Sequence, residues 1–235
     1  MGPDGAAGPE AFLALLQLAD GLFPAGSFAH SFGLETLVQE GRVKGRDDVE
    51  ALVRTHLEGS AGPADAPAVA LAVRAAERQD LAACIDLDER IDAMRAVPEF
   101  RAAGVQMGRA TLRPARVFSG DAFVERLAAA VDGGATPGQH PVVFGVVAGR
   151  AGAAPGEAAL AYLHSTAALL VGAALRLLPL GQVEGQTTLA RVRPLMARLA
   201  GEAVAAGPDD LWSFAPALEI AGVRHAALES RLFRS

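Results

Sequence analysis

The 235 residues are 51% hydrophobic and 20% charged, which is enough apolar surface to bury one core or two closely packed lobes and too little charge for a disordered chain. The net charge is −6, Lys44 is the only lysine and the arginines are spread along the chain. This argues against nucleic acid as the main partner, because a phosphate backbone calls for clustered cations. With Cys84 alone, an intramolecular disulfide and a thiolate zinc site are both excluded. No basic region leads into an apolar stretch at the start, so a reducing, cytoplasmic compartment is the expectation.

Aromatic residues are scarce at 5%, and alanine and leucine, the strongest helix formers, carry most of the apolar surface. The expected fold is therefore all-α: a single-domain bundle of roughly ten helices over residues 11–235, after a Gly- and Pro-rich disordered segment over residues 1–10. Residues 12–18 read as helix, interrupted by Gly21, Pro24 and Gly26. Ser27 is placed to cap a helix over residues 28–40 that stops at Gly41. Asp47 and Glu50 have capping-box spacing before Val49, Leu52, Val53 and Leu57, which share one helical face. Residues 59–67 read as a break. Helices over 68–77 and 81–97 follow, separated by Arg78, Gln79 and Asp80, and Pro98 leads into a helix over 101–112.

Ser119 is placed to cap a helix over 123–131 carrying Phe123, Leu127 and Val131, and residues 132–139 form the clearest loop. Helices are expected over 142–150, 157–178 and 183–206, the last with Leu189, Val192, Met196 and Leu199 on one face. The stretch 158–180 is apolar but broken by His164, Ser165, Thr166 and Arg176, so it reads as a buried core helix and not a membrane span. Pro208 and Pro216 bracket a turn containing Trp212, and a final helix runs from Ala217 toward Phe233.

Several chemistries fail on spacing. Gly145, Gly149 and Gly152 follow an apolar run but lack the lysine of a P-loop and the spacing of a dinucleotide fingerprint. Their steps of four and three suit close helix packing. His30, His56, His140, His164 and His225 form no H-x-x-x-H pair and have no carboxylate or thiol at ligand spacing, so no metal site is expected. Ser27 lacks the G-x-S-x-G elbow, Cys84 lies in an alanine-rich helical run as inert packing, and no two carboxylates pair for acid–base work. A catalytic set would have to assemble from distant residues such as His30, Glu35 and His225.

Four phrases are more particular. Residues 15–35, LLQLADGLFPAGSFAHSFGLE, resemble the opening signature of the UreF urease accessory family, L-L-Q-L-x-D-x-x-x-P-x-G-x-F-x-x-S-x-G-L-E. Residues 140–145, HPVVFG, are similar to the family's G-H-x-P-V-x-x-G phrase, with Gln139 inserted after the glycine. Residues 176–182, RLLPLGQ, followed by Gly185 and Gln186, are similar to R-L-x-P-L-G-Q…G-Q. Arg224 and His225, then residues 231–235, RLFRS, resemble the terminal R-H…R-L-F-x-S. Glu99, Arg101, Gln106 and Gly108 also match, without the Thr/Ser-Arg that usually precedes the glutamate.

The resemblance implies an all-α, non-enzymatic protein that tends to dimerise. It implies binding to a UreD/UreH-type accessory protein and the GTPase UreG, so that nickel reaches apo-urease coupled to GTP hydrolysis. It implies no cofactor of its own, the nickel being handled by the complex. The partner-binding residues expected on this basis are Phe28, His30, Phe32, Glu35, Arg176, Gln182, Gln186, Arg224, His225, Arg231 and Phe233. Each has a plainer reading beside it. Residues 24–28 suit a tight turn; Arg176, in an apolar helix, suits a pair with Glu157, Glu184 or a helix end. Gln182 and Gln186 suit loop amides, and residues 231–235 suit packing back on the same chain. If the last segment docks a partner, deleting it leaves the helical signal intact and abolishes co-purification with the UreD/UreH-type protein.

Overall fold

A computed structural model describes residues 8–235, and residues 1–7 of the segment expected to be disordered lie outside that range. Pro9 and Glu10 correct that expectation: they open the first helix, where a fixed φ and a missing N–H cost nothing. Among the described residues there are eleven α-helices and no strand. They are α1 (Pro9–Ala19), α2 (Leu34–Gln39), α3 (Arg46–His56), α4 (Ala66–Glu77), α5 (Leu81–Met94), α6 (Pro98–Ser119), α7 (Ala122–Asp132), α8 (His140–Arg150), α9 (Pro155–Leu177), α10 (Gln182–Ala205) and α11 (Pro216–His225).

Five local expectations are overturned. Residues 28–40 are not one helix: a single 3-10 turn, Ser27–Ala29, is followed by extended His30 and by left-handed Phe32 and Gly33 before α2 begins. Residues 59–67 are not a break, because a π-helical stretch, Leu57–Asp65, joins α3 to α4. Its glycines are contact points: a Cβ on Gly59 would lie 2.7 Å from the Phe214 carbonyl oxygen, and one on Gly62 2.7 Å from Leu199. Buried there, the backbone must satisfy its polar groups internally. The caps also move. Asp121, not Ser119, caps α7, accepting from the N–H groups of Phe123 (2.8 Å) and Val124 (3.1 Å). Gly45, not Asp47, precedes α3. Finally, α11 ends at His225, and the segment beyond is not helical.

The core is two apolar clusters. One joins α1 and α4 to α8 with the start of α9; the other joins α2, α3, α9, α10 and α11 with Phe233. The expected faces are the buried ones: Val49, Leu52, Val53 and Leu57; Phe123, Leu127 and Val131; Leu189, Val192, Met196 and Leu199. Gly145 and Gly149 serve helix packing, since a Cβ on Gly145 would stand 2.5 Å from the Val69 carbonyl oxygen of α4. Helix α9 has the length and apolarity to cross a membrane, yet half of its most apolar 18-residue window is buried between the two clusters. Cys84 is buried, and burial pushes its thiol up to about 12, in keeping with packing.

Candidate partner-binding site

The opening phrase and the last segment of the chain meet. Gly26 takes a left-handed φ of 76°, which lets the backbone reverse into the 3-10 turn and leaves the Phe28 side chain 74% exposed. Gly33, at φ 86°, brings α2 against α11 so closely that a Cβ would meet the Leu218 carbonyl oxygen at 2.9 Å. Beyond α11 the chain returns and lies along this turn. The Arg234 N–H donates to the Ala29 carbonyl oxygen (2.8 Å). The N–H groups of Ser31 (2.7 Å) and Phe32 (3.1 Å), and the Ser31 hydroxyl (2.8 Å), donate to the Ser235 main-chain oxygen.

Glu35 is the clasp. It is 2% exposed and accepts the N–H groups of Leu232 (2.6 Å) and Phe233 (3.0 Å) and Nε2–H of His225 (3.0 Å). Burial alone would raise its carboxyl, but the Leu232 amide, the His225 ring and the Phe233 amide outweigh it and hold the group below its ordinary value. Nδ1 of His225 faces Glu99 at 2.7 Å, and Arg231 donates to the other Glu99 oxygen at 3.1 Å. His30 is buried beside Ser235 Oγ (2.9 Å); burial, and then the Arg234 charge, lowers it to about 4, so it is neutral near pH 7.

Arg176 pairs with neither Glu157 nor Glu184. Its Nη1 donates to the Phe28 carbonyl oxygen (2.5 Å), and its guanidinium lies over the Phe233 ring, 4.4 Å from the centroid. Phe32 is half-buried against His56 and Phe100, with ring centroids 5.7 and 5.4 Å away.

Of the residues singled out in the sequence, Phe28, His30, Phe32, Glu35, Arg176, His225, Arg231 and Phe233 thus form one connected cluster. Arg224 lies at its edge, donating to Glu40 at 3.1 Å. Gln182 and Gln186 are exposed at the start of α10, beside Val183, and share no hydrogen bond with the cluster among the described residues. His30, Glu35, His225 and Phe233 are buried, so they hold the site together; Phe28, Arg176, Arg231, Leu232 and Arg234 are its outward face. Sequence reasoning missed Glu99 as the second carboxylate on His225, and Arg109 and Arg113 of α6 beside Phe28. The step of four between the two arginines was the available signal.

His225 and Glu35 do meet, as a catalytic set assembled from distant residues would require. They are 0% and 2% exposed, however, and both Glu35 oxygens are taken by donors, so a substrate has no face to approach. Among the described residues no group of three His, Cys, Asp or Glu side chains is arranged to hold a metal ion.

A family model described as UreF matches residues 43–193. The chain is 33% identical to the urease accessory protein UreF of Trichodesmium erythraeum (strain IMS101), over 94% of this chain and 95% of that one. It is 34% identical to the urease accessory protein UreF of Cereibacter sphaeroides (strain ATCC 17029 / ATH 2.4.9), over 96% and 99%, and 30% identical to that of Bacillus sp. (strain TB-90), over 95% and 98%.

Proposed function

The chain belongs to the UreF family of urease accessory proteins, and from that premise we propose that it is a non-catalytic scaffold for urease maturation in the cytoplasm. It joins a UreD/UreH-type accessory protein and the GTPase UreG on apo-urease, as a homodimer, so that nickel, the cargo, is delivered in step with GTP hydrolysis, whose rate it modulates. The observation that carries this reading is the Glu35 clasp. Buried polar groups are spent on fixing a surface, and what that surface presents is Phe28 at 74% exposure and Leu232 at 54%, ringed by arginines. Exposed aromatic and aliphatic side chains among guanidiniums are the usual anchors of a protein interface. Exposed apolar residues on α1 (Phe12, Leu13 and Leu16) and Val183 beside Gln182 and Gln186 offer further contact area for a multi-protein assembly.

The test is urease activation in a heterologous operon lacking only this gene, supplied with the wild type or with F28D/L232D. Both substituted side chains point to solvent, so the variant keeps its helical circular dichroism. Wild type restores urease activity, and the variant restores little and fails to pull down at least one accessory protein. Full restoration by F28D/L232D would remove this face from the function; no restoration by wild type would end the accessory reading. Whole deletion of residues 231–235 is a poorer probe, because it strips Glu35 of two donors and perturbs the fold it was meant to leave alone.

A further inference from the structure

Beside the clasp runs a groove of about 600 Å³ between α6, α9 and the returning last segment. Four guanidinium-bearing residues line it: Arg109 and Arg113 one turn apart on α6, Arg176 on α9, and Arg234, which enters only because its backbone is docked on Ala29. Several exposed arginines elsewhere are paired, Arg90 with Asp209, Arg116 with Glu125 and Asp132, and Arg198 with Glu58 and Glu202, whereas others such as Arg78 and Arg193 are not, among the described residues. What sets the groove apart is that four converge on one concave site. In the groove none of the four has a carboxylate within 4.0 Å among the described residues. Gln106 adds an amide and Phe28 an exposed apolar wall. A concentration of one sign of charge in a concave site, in a chain whose net charge is −6, repels itself and focuses potential outward. Such an arrangement is favourable once anions enter.

We infer that this groove receives an acidic polypeptide segment of a partner protein, its carboxylates meeting Arg109, Arg113 and Arg234 while an apolar side chain rests on Phe28. The planar fork of a guanidinium matches a carboxylate in two parallel hydrogen bonds, and a groove of about 600 Å³ has room for several residues and not only for a single small ion. As a partner dock the inference rests on the scaffold reading above; as a binding site for acidic peptide it stands apart from it.

The experiment has two arms. In the first, a labelled peptide of alternating glutamate and alanine is titrated into the purified full chain, into R109E/R113E, and into R78E/R193E, which reverses two exposed arginines outside the groove. Wild type and R78E/R193E bind alike, and R109E/R113E binds at least about tenfold more weakly. Binding by wild type weakens steeply between about 50 and about 300 mM salt. Equal binding by R109E/R113E overturns the inference. So does displacement of the peptide by inorganic phosphate at equal concentration, which would make the groove a site for a small anion. In the second arm the same variants are used to co-purify the accessory proteins. Loss of one partner with R109E/R113E, at unchanged helical signal, supports the dock, and retention of all partners overturns it. If wild type itself captures none, the scaffold reading fails while the first arm still decides what the groove binds.

Discussion

Replacing Glu35 by Gln keeps the shape of the clasp and removes its charge. One side-chain oxygen remains to accept the Leu232 amide at 2.6 Å, but an NH2 then faces two donors, the Phe233 amide and the His225 ring. Bonds to a charged acceptor contribute about 1.5–3 kcal/mol each, and a buried donor left unpaired costs about 1–3 kcal/mol, so the last segment should lose roughly 2–4 kcal/mol of docking free energy. At 1.36 kcal/mol per decade, that is about a 30- to 900-fold loss of amide protection. Hydrogen exchange read by NMR at Leu232, Phe233 and Arg234 should therefore accelerate by that factor, while amides of α4 and α8 keep their protection. Because Glu35 is held below its ordinary value, the clasp is fully formed above pH about 4.5 in wild type and loosens as pH falls through the lower folded value. E35Q should be insensitive to that titration. Unchanged exchange at Leu232 and Phe233 in E35Q would refute the clasp, and collapse of the helical signal would refute its being a local unit.

Three further outcomes follow from the packing. Gly145→Ala places a methyl 2.5 Å from a backbone oxygen of α4 and should cost about 1–3 kcal/mol, a fall in Tm of roughly 2–12 °C for a chain of this size. Calorimetry checks it, and an unchanged Tm would mean that α4 and α8 can separate freely. Asp65→Ala leaves Arg95, which donates to Asp65 at 2.5 Å in the interior, without its counter-charge and should destabilise by about 3–5 kcal/mol in chemical denaturation. Burial lowers His30, His56 and His140 to about 4. The unfolded chain therefore binds more protons between pH 6.5 and 4, and stability should decline across that window by up to about 1.4 kcal/mol per unit for each histidine. A Tm that is flat from pH 7 to 4 would contradict their neutral burial.

The helices with a regular apolar stripe were legible because periodicity and burial have the same cause. Val49, Leu52 and Val53 on α3, and Leu189, Val192 and Met196 on α10, face inward as their spacing requires. Residues 59–67 misled because glycine and proline are read as breakers, whereas here Gly59 and Gly62 are small so that Phe214 and Leu199 can approach, and the ladder widens to a π-helix around Pro63. The capping residue of α7 was misread by two positions, since Ser119 and Asp121 offer the same acceptor chemistry and only the geometry chooses. Among the residues named as partner-binding, the tertiary structure separates those that are buried from those that face outward. Phe233 and His225, named as partner-binding, are buried; Arg176, named likewise with a pair to Glu157, Glu184 or a helix end as the plainer alternative, lies over the Phe233 ring and donates to the Phe28 carbonyl oxygen.

By itself the sequence determined the helical class, the apolar faces and the family, because each is written in local spacing or in contiguous phrases. The pairing of Glu35 with His225, Leu232 and Phe233 joins positions about 190 residues apart. No local preference encodes that separation. It is chosen by the collapse that buries Leu34, Leu218 and Phe233 in one cluster, after which a buried carboxylate must find donors and the returning chain supplies them. The arginine groove is a product of the same step, since Arg234 reaches Arg109 and Arg113 only when the last segment is docked.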